Sequence, residues 1–388
     1  MTGVQTCALP IWGPLEIEIG LFKLLTELGY GKFTTTEKYF EEIRLKLEDK
    51  LLIWDDEMYL ETHRGTKTTQ VDIKHYHRLA EQWAATAENL CTIVNVVSPK
   101  LVEYQKDSVF EIWRKVLFNE FHDILPGSSI PDVYKLAIKE LKASINDAQN
   151  LIKDCMEIIT PSKDEFIIYN PSSWARTGYL THENSLYFIQ NIHPFSAQSI
   201  NKQKSLVNPE TWQNIFETDT GFILENEFLK TEIMKVSGTI TSLYYKPLQK
   251  ELIKKSVSMS HVGAGLLVFR EAPNFFHAWN IDPSYPSKII PVYLIEPAKL
   301  SRNYMNIPQI EAKFKFGRSR ATIRYALYPK ESILRVSIHT DIKTPKIIVK
   351  YQLPLTIRSD EVTSEIPYAS ITRKRRKKIG RASCRERV

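Results

Sequence analysis

The chain has 388 residues, of which 43% are hydrophobic and 25% are charged. A chain of this length can bury large cores and is predicted to form two or three domains. No stretch approaches about twenty uninterrupted apolar residues, so we predict no transmembrane helix and no membrane partner. The start of the chain lacks the basic-then-apolar order of a signal peptide, which favours a cytoplasmic protein.

The net charge of +7 comes from the end of the chain. Residues 373–388 contain nine basic residues and one acidic residue, which leaves a net charge of −1 for residues 1–372. We therefore interpret residues 373–388 as a solvated basic tail and expect no nucleic-acid partner. Nucleic-acid binding through this tail is the weaker alternative.

Both termini resemble translated sequencing-adapter read-through, at residues 1–11 and 380–388. We therefore expect residues 1–12 and the tail from 373 to be non-native, and the gene fragment to be cut at both ends.

Two of the four cysteines, Cys7 and Cys384, lie in these terminal segments. The other two, Cys91 and Cys155, fall at apolar positions of predicted helices. This arrangement predicts neither a disulfide framework nor a cysteine metal site.

Residues 13–56 are predicted to be the C-terminal end of an α/β domain. The first helix is expected over residues 17–28 and is ended by Gly29. Thr34 and Glu37 have the spacing of a capping box and predict the start of a second, amphipathic helix.

Residues 57–160 are predicted to form a three-helix domain that begins with a loop. This loop, residues 57–70, contains Gly65 and four threonines, which disfavour a helix. His63 and Arg64 lie beside the glycine and could reach a ligand. Pairing of Arg64 with a nearby carboxylate is the plainer alternative, and spacing alone favours it.

Three stretches after this loop repeat apolar residues at alternating steps of three and four, as core-facing helices do. They run from Ile73 to Val94, from Val109 to Leu117 and from Ile138 to Ile159. Short connections between them predict an antiparallel three-helix bundle.

A histidine and an aspartate, His122 and Asp123, lie at the predicted corner between the second and third helices. Pro126 and Gly127 are expected to end the second helix, and Pro131 is expected in the first turn of the third. Such a corner suits a metal ligand or a substrate contact. On spacing alone, however, a His–Asp pair of this kind is more often a structural contact.

Residues 161–372 are predicted to form a large antiparallel β-sandwich, because β-branched and aromatic runs alternate with turn signals. Strands are expected within residues 165–170, 222–234, 239–245, 265–269, 289–295 and 333–339. Residues 273–283 form an aromatic loop that could meet a sugar ring, and surface packing explains the loop equally well. The predicted fold class is therefore α+β and multidomain.

Two segments of the chain resemble a known family. Residues 59–70 (YLETHRGTKTTQ) and 119–128 (NEFHDILPGS) resemble the α-mannosidases of glycoside hydrolase family 38, in their cytosolic and microbial branch. Further matches occur in the same order at residues 169–174, 224–229, 237–245 and 365–368. The similarity extends from about residue 13 to residue 368.

The resemblance implies an α/β catalytic domain with a seven-stranded barrel-like unit, a three-helix middle domain and β-sandwich domains. It implies hydrolysis of terminal α-mannosides with retention, assisted by zinc or another divalent cation. Retention requires a carboxylate nucleophile and a carboxyl acid/base about 5 Å apart. The implied partner is an α-mannoside or oligosaccharide, and homo-oligomer formation stays open.

Through the resemblance, His122 corresponds to the last zinc ligand of the family and Asp123 to the residue that hydrogen-bonds the sugar hydroxyls. His63 and Arg64 lie in a motif near the mouth of the active site and are expected to bind substrate. His277 stands where family members more often carry an acidic residue.

The nucleophile, the acid/base and the other zinc ligands are expected upstream of Gly13, so no catalytic residue is assigned in this chain. We therefore predict a fragment of a zinc-dependent α-mannosidase that is inactive on its own. The alternative is a non-catalytic carbohydrate-binding or scaffolding protein.

Overall fold

The computed structural model describes residues 15–47, 50, 63–98, 105–159, 165–254, 263–271, 273, 275–366 and 369–374. The chain divides into two compact units, Met1–Leu60 and Glu61–Val388. No helix in these described ranges is both long and apolar enough to cross a membrane.

The first unit contains two helices, α1 (Glu16–Glu27) and α2 (Thr36–Leu47). The backbone N–H of Lys38 donates to the hydroxyl of Thr35 at 3.4 Å. The cap of α2 is therefore Thr35 and not Thr34, the residue that the capping-box pattern predicted. Neither helix contains a buried residue.

The second unit begins with the predicted three-helix bundle, formed by α3 (Val71–Val97), α4 (Lys106–Phe118) and α5 (Pro131–Ile159). Its core consists of small and aliphatic side chains at helical spacing, for example Ile73, Ala80, Ala87, Leu90, Val94, Ile112, Val116, Leu141 and Ala148. The apolar periodicity of the sequence thus predicted the bundle correctly, because one face of each helix is buried against the other two.

Hydrogen bonds fix the direction of the middle helix of the bundle. The indole Nε1 of Trp113 on α4 donates to Glu88 on α3 at 2.9 Å. The hydroxyl of Ser144 on α5 donates to the carbonyl of Ile112 at 3.0 Å. At the end of α4, Glu120 lies beside His77 near the start of α3, and Asn119 donates to Glu140, which precedes Ser144 in α5. Helix α4 is therefore antiparallel to both neighbours, and α3 and α5 run parallel to each other.

The described residues after 165 form twenty strands and one short helix, α6 (Lys202–Ser205). The strands are β1 (Glu165–Asn170), β2 (Arg176–His182), β3 (Ser185–Ile192), β4 (Ser196–Asn201), β5 (Leu206–Val207), β6 (Ile215–Glu217), β7 (Gly221–Glu225), β8 (Leu229–Met234), β9 (Ile240–Tyr245), β10 (Lys250–Glu251), β11 (Gly265–Arg270), β12 (Ile289–Ile290), β13 (Tyr293–Leu294), β14 (Lys299–Arg302), β15 (Pro308–Phe316), β16 (Ser319–Leu327), β17 (Leu334–Asp341), β18 (Ile347–Gln352), β19 (Glu361–Ile366) and β20 (Ala369–Lys374).

The strands pair antiparallel in six sheets. The two largest sheets have the orders β10-β9-β8-β7-β6 and β13-β15-β16-β17, with β14 also paired to β15. The smaller sheets are β2-β3-β5, β12-β11-β18, β1-β4 and β19-β20. The antiparallel β architecture that the sequence predicted is therefore confirmed for the described residues.

The two largest sheets share one hydrophobic core. Leu224 and Ile233 from the first sheet and Ile310 and Ile323 from the second are almost completely buried in it. Tyr325 is also buried there, and its hydroxyl donates to the carbonyl of Gly238 at 2.8 Å. In β8 and in most of β16, buried residues alternate with less buried ones, as expected when two sheets pack face to face.

Two predicted strands are each divided in the structure. Residues 222–234 form the hairpin of β7 and β8, because Asn226 interrupts the run and its side chain accepts hydrogen bonds from the backbone of Phe228 and Leu229. Residues 289–295 form β12 and β13 in different sheets. Pro291 lies between these two strands and cannot donate to a sheet ladder.

Candidate functional site

The His–Asp corner lies on a long turn between α4 and α5. Helix α4 ends at Phe118, and residues 119–127 form turns. The helix was predicted to end at the His122–Asp123 corner, with Pro126 and Gly127 as its stop signal, and it ends earlier, at Phe118. The physical reason is Asn119, whose buried side-chain amide donates to the carbonyl of Lys115 at 2.8 Å and to Glu140 on α5 at 3.0 Å. These contacts turn the chain inward before the proline.

His122 and Asp123 lie side by side on this turn. His122 Nε2 is 3.3 Å from Asp123 Oδ2, and the two side chains are 54% and 37% exposed. The ring of Phe121 lies against His122, with ring centroids 4.2 Å apart. Both polar side chains are thus accessible to a ligand from solvent.

Asp123 is held from two directions. The hydroxyl of Ser128 donates to Asp123 Oδ1 at 2.9 Å, and the hydroxyl of Tyr134 donates to the Asp123 carbonyl at 3.2 Å. Tyr134 OH in turn accepts the backbone N–H of Ser129. Burial raises the pKa of Tyr134, so this hydroxyl keeps its proton.

A lysine joins the corner to the loop that precedes α3. Lys74 Nζ donates to the carbonyls of Thr69 at 2.5 Å, Leu125 at 2.9 Å and Pro126 at 3.2 Å. Gly127 has a φ of +88°, and a Cβ at this position would lie 2.6 Å from the carbonyl oxygen of Thr69. The corner and the loop therefore touch along their backbones.

His63 and Arg64 lie at the other end of this loop. The described part of the predicted 57–70 loop contains one turn of 3-10 helix, Arg64–Lys67, and His63 caps it with a left-handed φ of 66°. The ring of His63 packs on Trp279, with centroids 4.9 Å apart, and its backbone N–H donates to Asn280 Oδ1 at 3.3 Å. The structure thus places His63 against the aromatic loop.

The aromatic loop is attached to the bundle through close backbone contacts. The N–H of Gly65 donates to the carbonyl of Trp279 at 2.8 Å, and the hydroxyl of Thr69 donates to the carbonyl of Ala278 at 3.0 Å. A Cβ on Gly65 would lie 2.8 Å from the carbonyl oxygen of Asn280. The described residues of the corner, the 63–70 loop and the aromatic loop therefore form one continuous surface.

An aspartate stabilises the base of the aromatic loop. Asp282 accepts hydrogen bonds from Lys288 Nζ at 2.5 Å and from the hydroxyl and N–H of Ser284 at 2.7 and 2.8 Å. These contacts lower the pKa of Asp282 to about 2. Burial raises the pKa of neighbouring Glu271, which accepts the N–H of Asp282.

His122 and Asp123 offer the kinds of donor atom that zinc binds, but two residues are fewer than a zinc site normally needs. An imidazole nitrogen and a carboxylate oxygen are ordinary zinc ligands, and a catalytic site normally has three protein ligands. Across the residues that the structure describes, no group of three or more His, Cys, Asp or Glu side chains could hold a metal ion. The described residues therefore contribute at most part of such a site.

Comparison with known families matches two separate parts of the chain. Residues 61–159 match the alpha mannosidase middle domain, and residues 224–384 match the C-terminal domain of glycosyl hydrolases family 38. The chain belongs to glycosyl hydrolase family 38. The resemblance found in the sequence motifs is thereby confirmed.

Individual relatives extend this result. An alpha-mannosidase of Saccharomyces cerevisiae is 24% identical in an alignment of 349 residues that covers 86% of this chain and 30% of the yeast protein. Alpha-mannosidase G of Dictyostelium discoideum is 32% identical over 130 residues, which are 33% of this chain and 12% of that protein. The chain thus spans less than a third of the length of these curated relatives.

A solved structure shows the same fold. The crystal structure of an alpha-mannosidase from Enterococcus faecalis superposes with a TM-score of 0.58 at 12% identity, covering 86% of this chain and 49% of that one. The helical bundle followed by antiparallel sheets is therefore a fold that this solved alpha-mannosidase shares.

The residues that support the corner were missed by reasoning from sequence. Lys74, His77 and Asn119 carry contacts between segments far apart in the chain. Their one signal in the sequence is a polar residue within an apolar helical pattern, as at His77, which is 7% exposed. The roles predicted for His63, Arg64, His122 and Asp123 remain predictions.

Proposed function

We propose that this chain is part of a retaining, zinc-dependent α-mannosidase that hydrolyses terminal α-mannosides, and that its corner contributes to sugar binding. The observation that carries this proposal is the exposed pair of His122 and Asp123 on a turn of an alpha mannosidase middle domain. The cytoplasmic location implied by the sequence resemblance is part of the same proposal.

Asp123 is proposed to bind sugar hydroxyls. One of its carboxylate oxygens accepts a hydrogen bond from Ser128, which fixes the orientation of the group. A carboxylate accepts strong, charge-assisted hydrogen bonds from hydroxyls. A sugar hydroxyl that is buried on binding and left without a partner costs about 1–3 kcal/mol, so this contact favours a sugar with a hydroxyl at the matching position.

His122 is proposed as one ligand of the zinc ion, or of another divalent cation. When bound, the metal would supply Lewis-acid polarisation of the sugar hydroxyls. We propose that the other ligands, the nucleophile and the acid/base belong to the α/β catalytic domain expected upstream of residue 13. On this proposal, the 388-residue chain alone does not turn over a mannoside.

His63, Arg64 and the aromatic loop are proposed to form the rim of the substrate site. The packing of His63 on Trp279 supports this role, because aromatic faces bind the apolar faces of sugar rings. The contacts of Gly65 and Thr69 hold the two loops together. Arg64 begins the short 3-10 helix beside them.

The proposal is tested with the longer gene product that contains the upstream region, assayed on an aryl α-mannoside. His122→Ala is expected to lower both the bound zinc, measured by elemental mass spectrometry, and the hydrolysis rate. Asp123→Asn is expected to reduce hydrolysis while zinc is retained. His75→Ala is the matched control, since His75 is an exposed histidine of the same bundle.

Three outcomes would contradict all or part of the proposal. Unchanged zinc content in His122→Ala would exclude His122 as a ligand. Turnover by the 388-residue chain with added zinc, at the rate of the longer protein, would show that the upstream region is not needed. Binding of mannose by the chain alone, measured by calorimetry and without hydrolysis in the longer protein, would instead favour the carbohydrate-binding alternative.

A further inference from the structure

Two buried cysteines meet between parallel helices of the bundle. Cys91 on α3 and Cys155 on α5 are free thiols with 3% and 2% exposure, and their Sγ atoms lie 3.1 Å apart. A disulfide bond is about 2.05 Å long, so the sulfurs need to approach by only about 1 Å. The two residues are 64 positions apart in the sequence, and the spacing of the cysteines did not predict this contact.

A groove on the surface of the bundle adjoins one of these cysteines. It has a volume of about 640 Å³, lies between the start of α4 and the end of α5, and is lined by Cys155. Four carboxylates also line it: Asp107, Glu111, Asp147 and Asp154. Asp147 is paired with Lys115 and Glu111 with Arg114, so the negative charge of the lining comes mainly from Asp107 and Asp154. This charge disfavours anionic reagents relative to small uncharged ones.

The position of the groove distinguishes the two thiols. Their sulfurs share one hydrogen bond, which either thiol can donate. Cys155 lines the groove and Cys91 is not among the residues that line it. Cys155 is therefore the thiol that a reagent in the groove reaches first.

We propose that Cys91 and Cys155 are a site of reversible oxidation, at which a small uncharged peroxide converts the two thiols to a disulfide. The Cys155 thiolate attacks hydrogen peroxide, its sulfur becomes a sulfenic acid, and hydroxide leaves. The Cys91 thiol then attacks that sulfur, the S–S bond forms, and water leaves. In total, two thiols and one peroxide give one disulfide and two waters.

The plainer explanation is that both cysteines only fill space in the core, since free cysteine is among the most buried residue types. That explanation predicts no cross-link when the folded protein meets an oxidant. The two explanations therefore differ in a measurable product.

The cross-link is expected to leave the His–Asp corner unchanged. Cys155 lies near the end of α5, whereas the corner precedes Pro131 at its start. With a rise of 1.5 Å per residue, the intervening helix is about 36 Å long. The proposed oxidation of Cys91 and Cys155 can therefore be confirmed or contradicted independently of the proposed mannosidase function.

The test uses the 388-residue chain with Cys7→Ser and Cys384→Ser, so that only the bundle cysteines remain. The folded protein is treated with hydrogen peroxide, alkylated, digested and analysed by mass spectrometry. We expect a peptide pair joined through Cys91 and Cys155, with a mass lower by two hydrogen atoms. Dithiothreitol should reverse it, and oxidised glutathione, which is anionic, should form it more slowly.

Two matched variants complete the test. Adding Cys155→Ser should abolish the cross-link, and the peroxide should then leave the Cys91 thiol available to alkylation after unfolding. In the cross-linked protein, the thermal midpoint of helix unfolding should rise by about 5 °C, because the link restricts the unfolded chain. The proposal is overturned if both thiols are recovered after peroxide treatment, or if the cross-linked protein unfolds at an unchanged or lower temperature.

Discussion

His77 and Glu120 join the first helix of the bundle to the turn that carries the His–Asp pair, with His77 Nε2 3.1 Å from Glu120 Oε1. His77 is 7% exposed, whereas the Glu120 side chain is 42% exposed. The partner on the helix is thus enclosed by protein, and the partner on the turn can exchange its hydrogen bond with water.

This asymmetry predicts unequal effects of replacing the two residues. His77→Ala should lower the free energy of unfolding by about 1–3 kcal/mol, because it leaves a gap in the core and removes a buried hydrogen bond. Glu120→Gln should be nearly neutral, since an amide oxygen can still accept. Urea unfolding followed by helical circular dichroism measures both. Equal losses in the two variants would contradict the asymmetry.

Lys74 should contribute more to stability than an ordinary surface lysine. Lys74→Met removes a charged donor from three carbonyl oxygens and should lower the free energy of unfolding by about 1.5–3 kcal/mol. Lys153→Met is the control, because the Lys153 side chain is 73% exposed with one glutamate 3.8 Å away. The control should change stability by less than about 0.5 kcal/mol. Similar effects in both variants would show that Lys74 does not hold the corner.

Gly127 should resist substitution for two reasons. Its φ of +88° is costly for other residues, and an added Cβ would meet the Thr69 carbonyl at 2.6 Å. Gly127→Ala should therefore destabilise the protein by about 1–3 kcal/mol. Gly20→Ala is the opposite case, because nothing lies within 4 Å of its Cβ position in α1. That variant should be neutral or stabilising by about 0.5–1 kcal/mol, and loss of stability there would contradict the argument.

The fold was largely predictable from the sequence because the spacing of apolar residues indicates which residues are buried. Residues such as Ile73, Ala80 and Val94 repeat at helical spacing, and each is buried in the bundle. Element boundaries were less predictable where a side chain makes a contact outside its own element. Asn119 ends α4 early through a hydrogen bond to Glu140, which follows 21 residues later.

The candidate site was predictable in part. The motif that contains His122 and Asp123 could be recognised in the sequence, and the structure places both residues on an accessible turn. The attachment of that turn to the rest of the molecule was not visible. Lys74 donates to the carbonyl of Leu125, which is 51 residues away in the chain. Every residue has a backbone carbonyl, so a sequence pattern cannot indicate which carbonyl a side chain contacts. Such tertiary contacts become known only once the fold is known.

Ser128 is expected to act as a positioning residue for Asp123, a prediction that rests on the proposed function. In the longer protein, Ser128→Ala should raise KM for an aryl α-mannoside about 5–10-fold, the equivalent of one lost hydrogen bond, with a smaller effect on kcat. Ser129→Ala is the matched control, since no hydrogen bond of the Ser129 hydroxyl occurs within the described part of the chain. Equal KM values for the two variants would contradict the positioning role of Ser128.

Asp282 should make the stability of the aromatic loop sensitive to acid. Its carboxylate is held by Lys288 and Ser284, which lower its pKa to about 2 in the folded protein, whereas an unfolded aspartate titrates near 3.9. A lowered pKa means that the contribution to stability is present above about pH 4 and is lost as the pH falls towards 2. Asp282→Asn should therefore have a lower free energy of unfolding than the natural chain at neutral pH. This difference should disappear as the pH falls towards 2.

Unfolding measured at several pH values between 2 and 7 tests this expectation, with the fluorescence of Trp279 as a local probe after replacement of the other tryptophans. Asp132→Asn is the control, because the Asp132 side chain is 80% exposed in its pair with Lys135. Exposed ion pairs of this kind contribute about 0–1 kcal/mol to stability. The free energy of unfolding of Asp132→Asn should therefore stay close to that of the natural chain at every pH measured. A difference between Asp282→Asn and the natural chain that persists at pH 2 would show that the aspartate stabilises the loop by packing and not through its charge.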